Sequence, residues 1–78
     1  MQTVVKGTKT IGEFKEKQQK LTDLAELAYQ RHKFFCENWN EGEPVKAWFD
    51  SDENVCVEYA SGNWWHYKNL ELPFPTWW

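Results

Sequence analysis

Two histidines and two cysteines are the side chains of this sequence best suited to bind a metal or to pair a nucleophile with a base. His32 and Cys36 stand at i and i+4, a spacing that places two ligands on one helix face. His66 lies in the half of the chain that can be folded over that face. These three could gather around zinc. Cys56 falls on the far side of the strand pattern described below, so a closed four-ligand site is not expected. The alternative is that both histidines are hydrogen-bonded at the edge of the core and that Cys36 behaves as a small apolar residue. No metal and no cofactor is assigned on this basis.

Nucleophilic catalysis needs a Ser, Cys or Thr beside a base that a third group orients, and no nucleophile elbow or catalytic-cysteine signature occurs. With four glycines in all, the phosphate-cradling patterns G-x-G-x-x-G and G-x-x-x-x-G-K-[ST] are absent. The acidic run Asp50-Ser51-Asp52-Glu53-Asn54 lacks the Gly at position six and the Glu at position twelve of a calcium-binding loop. It reads as an acidic turn. No catalytic residue is assigned, and the chain reads as a binding protein rather than an enzyme.

Aromatic residues carry the stronger signal, at 18% of the chain with six Trp, five Phe and three Tyr. A chain of 78 residues makes one domain with one small core. Rings that bury roughly 150–250 Å² each cannot all fit inside such a core. Some must meet solvent or a partner. The formal net charge is −3, but it is unevenly distributed: residues 1–33 sum to +3 and residues 34–78 to −6. An acidic chain is a poor ligand for duplex DNA or an anionic membrane. No apolar run is long enough for a membrane span and no hydrophobic segment follows Met1, so a cytoplasmic location is expected, consistent with only two cysteines.

The elements that must position these residues follow from periodicity. Residues 1–9 form a flexible arm or a short edge strand, with the arm preferred. Thr10 and Glu13 have capping-box spacing, and a helix is expected over 10–39. Phe14, Leu21, Leu24, Ala25, Ala28, His32, Phe35 and Trp39 form its buried stripe. Gly42 and Pro44 follow as stop signals. From 45 to 68 the pattern alternates, giving three strands in an antiparallel meander, with Phe49 opposite Val55, Lys46 opposite Glu58 and Tyr59 opposite Trp64. The prolines of residues 69–78 favour an extended, polyproline-like tail. The expected fold class is therefore α+β, one long N-terminal helix on a three-stranded meander.

In that register Val45, Ala47, Phe49, Val55, Val57, Tyr59, Trp64 and His66 face the helix, while Trp48, Cys56, Trp65 and Tyr67 face away. Two uses of the outward rings are open: a second small core under the tail, or a contact surface. The chain is accordingly expected to bind another protein through Trp48, Trp65, Tyr67, Trp77 and Trp78, rimmed by Asp50, Asp52, Glu53 and Glu58. Leu27 and Phe34, one heptad apart and opposite the stripe, are candidates for a second interface or a homodimer seam. By size and charge alone, the module fits an acidic inhibitor or adaptor of the sort that phages and mobile elements carry, anti-CRISPR inhibitors of nucleic-acid enzymes among them. Stacking of single-stranded nucleic acid on the rings is the alternative, disfavoured by the charge of the strand half.

Overall fold

The computed structural model describes residues 1–78. The chain runs β1 (Gln2–Val4), α1 (Ile11–Phe35), β2 (Pro44–Phe49), β3 (Val55–Tyr59), β4 (Trp64–Lys68) and β5 (Thr76–Trp77). The five strands form one mixed sheet in sequence order, with β1 parallel to β2 and the remaining pairs antiparallel. The helix covers one face. The α+β class stands, but the sheet has five strands where the sequence suggested three.

The helix begins where its capping residues require. Thr10 Oγ1 accepts from the Glu13 amide at 3.0 Å, while the Glu13 carboxylate accepts from the Lys9 amide at 2.8 Å. It ends at Phe35, with Cys36 extended at φ −102° and ψ 130°, four residues short of the expected limit. Trp39 therefore reaches the core from a loop, its Nε1 donating to the Gly42 carbonyl at 2.7 Å. Gly42 has φ +79°, and a Cβ there would come 2.9 Å from Ala60 Cβ. Only glycine lets this loop lie against the β3–β4 turn.

Both ends of the chain pair with the sheet, the N-terminus in the second of its two expected forms and the C-terminus against expectation. The N-terminal arm is an edge strand, tied to the helix by Gln18 Nε2 donating to Thr3 Oγ1 at 3.1 Å. The tail leaves the polyproline path to pair Trp77 with Tyr67 and Thr76 with Lys68. Arg31 holds the preceding turn, donating to the carbonyls of Leu72 at 2.6 Å and Pro73 at 2.8 Å.

The hairpin register decides which rings face the helix. The β2–β3 pairs Phe49–Val55 and Lys46–Glu58 are as read from the sequence, although an irregularity between Pro44 and Lys46 leaves Val45 exposed rather than inward. The β3–β4 pairing is shifted by one residue: Glu58, not Tyr59, stands opposite Trp64. The cause is a three-residue loop. Tyr59 N donates to Asn63 O and Gly62 N donates to Tyr59 O, both at 2.9 Å, with Gly62 at φ +95°. Left-handed Gly in the third loop position closes this hairpin. A slip of one residue turns every side chain of a strand to the other face. Trp65 and Tyr67 therefore lie beneath the helix, and Trp64 and His66 lie outside, the reverse of the sequence expectation.

The core consists of Leu21, Ala25 and Ala28 of the helix against Ala47, Val55, Val57, Tyr59 and Tyr67 of the sheet, closed by Leu70. His32 is buried with them. Alanines at the crossing let helix and sheet approach closely, and the large rings fill the space beyond it. Phe14 and Phe35, expected in the stripe, are exposed at its ends.

Candidate functional site

The sheet face turned away from the helix carries a row of four aromatic side chains from β2, β4 and the residue that follows β5. Trp48 and Trp64 lie 5.3 Å apart between ring centroids, Trp64 and His66 5.0 Å, and His66 and Trp78 5.0 Å with their planes only 4° apart. Trp64 is 48% exposed and Trp78 51%; Trp48 and His66 are half-buried. Exchange of backbone hydrogen bonds between Trp78 and His66, at 2.9 and 3.1 Å, fixes the last rung. The row is partly open to solvent, chiefly at Trp64 and Trp78.

Of the expected contact residues, Trp48 and Trp78 belong to this row. Trp65, Tyr67 and Trp77 do not. They surround His32 on the helix side, at centroid distances of 4.9, 5.6 and 4.3 Å. His32 Nδ1 and the Tyr67 hydroxyl are 2.7 Å apart, and the Tyr67 and Tyr59 hydroxyls also 2.7 Å, forming a buried relay. Burial lowers the His32 pKa, opposed by the Glu41 charge, and the imidazole is neutral. Burial likewise raises the Tyr59 hydroxyl to about 12 and raises Tyr67, so both stay protonated.

The acidic rim is also redistributed. Asp52 and Glu53 are exposed at the β2–β3 hairpin tip, where Glu53 lies 4.0 Å from Lys17. Asp50 is not a free surface charge: its Oδ1 accepts from the amides of Asp52 and Asn54, each at 2.9 Å. Burial raises its pKa, but the hydrogen bonds from Asn54, His66 and Asp52 outweigh this and hold it below the usual value. Glu58 remains on the open face, between Lys46 and Trp64. Glu41 is used internally, accepting from Ser61 Oγ at 2.9 Å and from Asn63 Nδ2 at 3.0 and 3.1 Å. Strand alternation puts Lys46 and Lys68 on the open face, with Lys46 Nζ 5.5 Å from the Trp48 ring centre. The face itself is thus far less acidic than the chain segment that builds it.

The two helix residues considered for a second interface differ in their surroundings. Leu27 packs against the core, and Phe34, 80% exposed, lies edge-on to Phe35 at 5.2 Å. A partly open hollow of about 410 Å³ lies beside Trp48, lined in part by Lys6, Lys17, Lys46 and Glu53. No helix is long and apolar enough to cross a membrane.

The zinc ligands suggested by spacing are separated by the sheet: His32 lies under the helix and His66 on the open face. The same register that parts them brings His66 to Cys56 and Asp50. Cys56 Sγ lies 3.3 Å, and Asp50 Oδ2 2.9 Å, from the same ring nitrogen, His66 Nδ1. A Cys-His-Asp relay needs the carboxylate on one nitrogen and the nucleophile on the other. Burial, assisted by the Asp50 charge, moreover pushes the Cys56 thiol up to about 11, opposite to nucleophile activation. Trp64 and His66, which the sequence reading turned inward, and Cys56, which it left unused, belong to this face, and Gly62 in the third loop position was the signal for the two β4 residues. No family model, curated protein or solved structure matches the chain, so function rests on this geometry.

Proposed function

We propose that the chain is a small non-catalytic protein-binding module that docks through the sheet face opposite the helix. The observation that carries this is the row Trp48, Trp64, His66 and Trp78, with about half of the Trp64 and Trp78 surface open to solvent. Indole rings held by a rigid sheet give up little conformational freedom on binding and offer much apolar area, which is why Trp dominates interface hot spots. The lysines and Glu58 at the edges supply polar contacts around that apolar strip. In its finer form the module is an acidic inhibitor or adaptor of phage or mobile-element type, reaching a basic patch of a nucleic-acid enzyme through Asp52 and Glu53. This form is supported by net charge and by the exposure of those two acids.

Affinity capture with the wild type and the double variant Trp48→Ala/Trp64→Ala tests the surface. A partner retained by the wild type and by Phe34→Ala, but lost by the double variant at unchanged helical circular dichroism, supports it. Undiminished capture by the double variant contradicts it.

A second reading draws on Lys46 and Lys68, which flank the rings while most acids of the strand half lie elsewhere. Single-stranded nucleic acid stacks on such rings when cations border them. Oligonucleotide titration at low salt should then quench Trp emission and lose the effect at high salt. Unchanged emission rejects this second reading.

A further inference from the structure

Asp50, Cys56 and His66 bring an oxygen, a sulfur and a nitrogen to one point on the open face, with all three donor atoms within 4.8 Å of one another. We propose that this trio is a zinc site in which Asp50 Oδ2, Cys56 Sγ and His66 Nδ1 occupy three corners of a tetrahedron. The fourth corner is left to water.

Ligand chemistry selects the metal. Thiolate and imidazole together favour zinc and its neighbours over magnesium or calcium, which take oxygen donors. Geometry agrees. With Zn–N near 2.0 Å, Zn–O near 2.0 Å and Zn–S near 2.3 Å, tetrahedral angles require N···O and N···S separations of about 3.3 and 3.5 Å. The observed separations are 2.9 and 3.3 Å, so the site needs to widen by only a few tenths of an ångström.

Each ligand is oriented by groups outside the trio. The second oxygen of Asp50 is held by two backbone amides. The His66 ring lies flat on Trp78 and beside Trp64. Cys56 is fixed in the central strand, fully buried. Outer contacts of this kind are what sets ligand orientation in metal sites.

Hydrogen bonding alone leaves the trio poorly matched. Nδ1 carries at most one proton, and the carboxylate at 2.9 Å takes it. The buried thiol then has only the Asn54 carbonyl, at 4.0 Å, as an acceptor. A metal ion satisfies all three donors at once. Coordination expels the thiol proton to solvent and leaves the imidazole proton on Nε2, and two anionic ligands balance the dication. His66 and Asp50 keep 26% and 16% of their side chains exposed, which gives the ion a route in.

The test is cobalt titration of the reduced, purified chain. Co²⁺ should saturate at about one equivalent with near-ultraviolet thiolate charge-transfer absorption and visible tetrahedral bands, both removed by zinc. Cys56→Ser should abolish the charge-transfer absorption, and Cys36→Ser should retain it. No charge-transfer absorption in the wild type overturns the proposal, whether or not the Cys56 variant folds. Absorption that survives Cys56→Ser and disappears in Cys36→Ser places the ion elsewhere and also overturns it.

Discussion

The imidazole of His66 lies parallel to the indole of Trp78, 5.0 Å away between ring centroids, and the two residues exchange backbone hydrogen bonds. One residue earlier, Trp77 stacks on His32 at 4.3 Å on the opposite side of the sheet. Consecutive tryptophans thus close the core with one ring and extend the open aromatic face with the next. The two-residue strand β5 is short, but it links both parts of the molecule.

The core side of this arrangement depends on the Tyr67 hydroxyl, which touches both His32 Nδ1 and the Tyr59 hydroxyl. Tyr67→Phe leaves two buried polar groups without that partner and should cost about 1–3 kcal/mol. Tyr59→Phe removes only the end of the chain of hydroxyls, since Tyr67 still reaches His32, and should cost about 0.5–1.5 kcal/mol. Urea denaturation of the two variants checks the order. An equal or larger loss for Tyr59→Phe contradicts the relay.

The two hairpins provide a matched pair. Gly62 closes one with φ +95°, and Glu53 closes the other with φ +61°. A Cβ at position 62 meets nothing within 4 Å, so Gly62→Ala isolates the backbone cost and should destabilise by about 1 kcal/mol. Glu53→Gly relieves the same left-handed strain and should be neutral or stabilising by up to about 1 kcal/mol. Thermal melts of both decide the matter; a stabilising Gly62→Ala contradicts the loop geometry.

His32 is enclosed by Trp39, Tyr59, Trp65, Tyr67 and Trp77, and burial lowers its pKa while the Glu41 charge opposes the shift. Tyr59 and Tyr67 remain neutral hydroxyls. The unfolded chain therefore binds a proton at His32 at a pH where the folded chain does not. His32's contribution to stability is complete above pH 6.5, falls as pH drops below it, and levels off beneath the lowered folded value. Nuclear magnetic resonance titration of the His32 ring should give a midpoint below 6.5. A midpoint at or above that value contradicts a neutral, desolvated imidazole.

Arg31 secures the tail by two hydrogen bonds to carbonyls, with its Nε buried and its guanidinium carbon 5.6 Å from the Phe35 ring centre. Arg31→Ala should loosen β5 without unfolding the sheet, raising hydrogen exchange at the Trp78 amide by about tenfold or more. Exchange at the Val57 amide should stay unchanged. Equal acceleration at both sites indicates global destabilisation and argues against a local clamp.

Much of the architecture is legible in local sequence signals. Thr10 and Glu13 mark the helix start, and alternation around Asp50-Ser51-Asp52-Glu53-Asn54 fixes the β2–β3 register because Lys46 pairs with Glu58. The remainder depends on tertiary contacts. Gln2–Val4 is too short to declare itself a strand, and becomes one by lying beside β2. Pro73 and Pro75 obscure the pairing of Thr76 and Trp77. The β3–β4 hairpin is the instructive case: reading Ala60-Ser61-Gly62-Asn63 as a four-residue turn exchanges Trp64 and His66 for Trp65 and Tyr67. The aromatic composition was sufficient to suggest an outward row of rings, but loop length determined its members.

Six indole N–H signals make the docking face directly observable in ¹⁵N-labelled protein titrated with the captured partner. The indoles of Trp48, Trp64 and Trp78 should shift or broaden first, while those of Trp39, Trp65 and Trp77 keep their positions. Perturbation centred on Trp65 and Trp77, with the outer three unmoved, would place binding elsewhere and contradict the open sheet face as the contact surface.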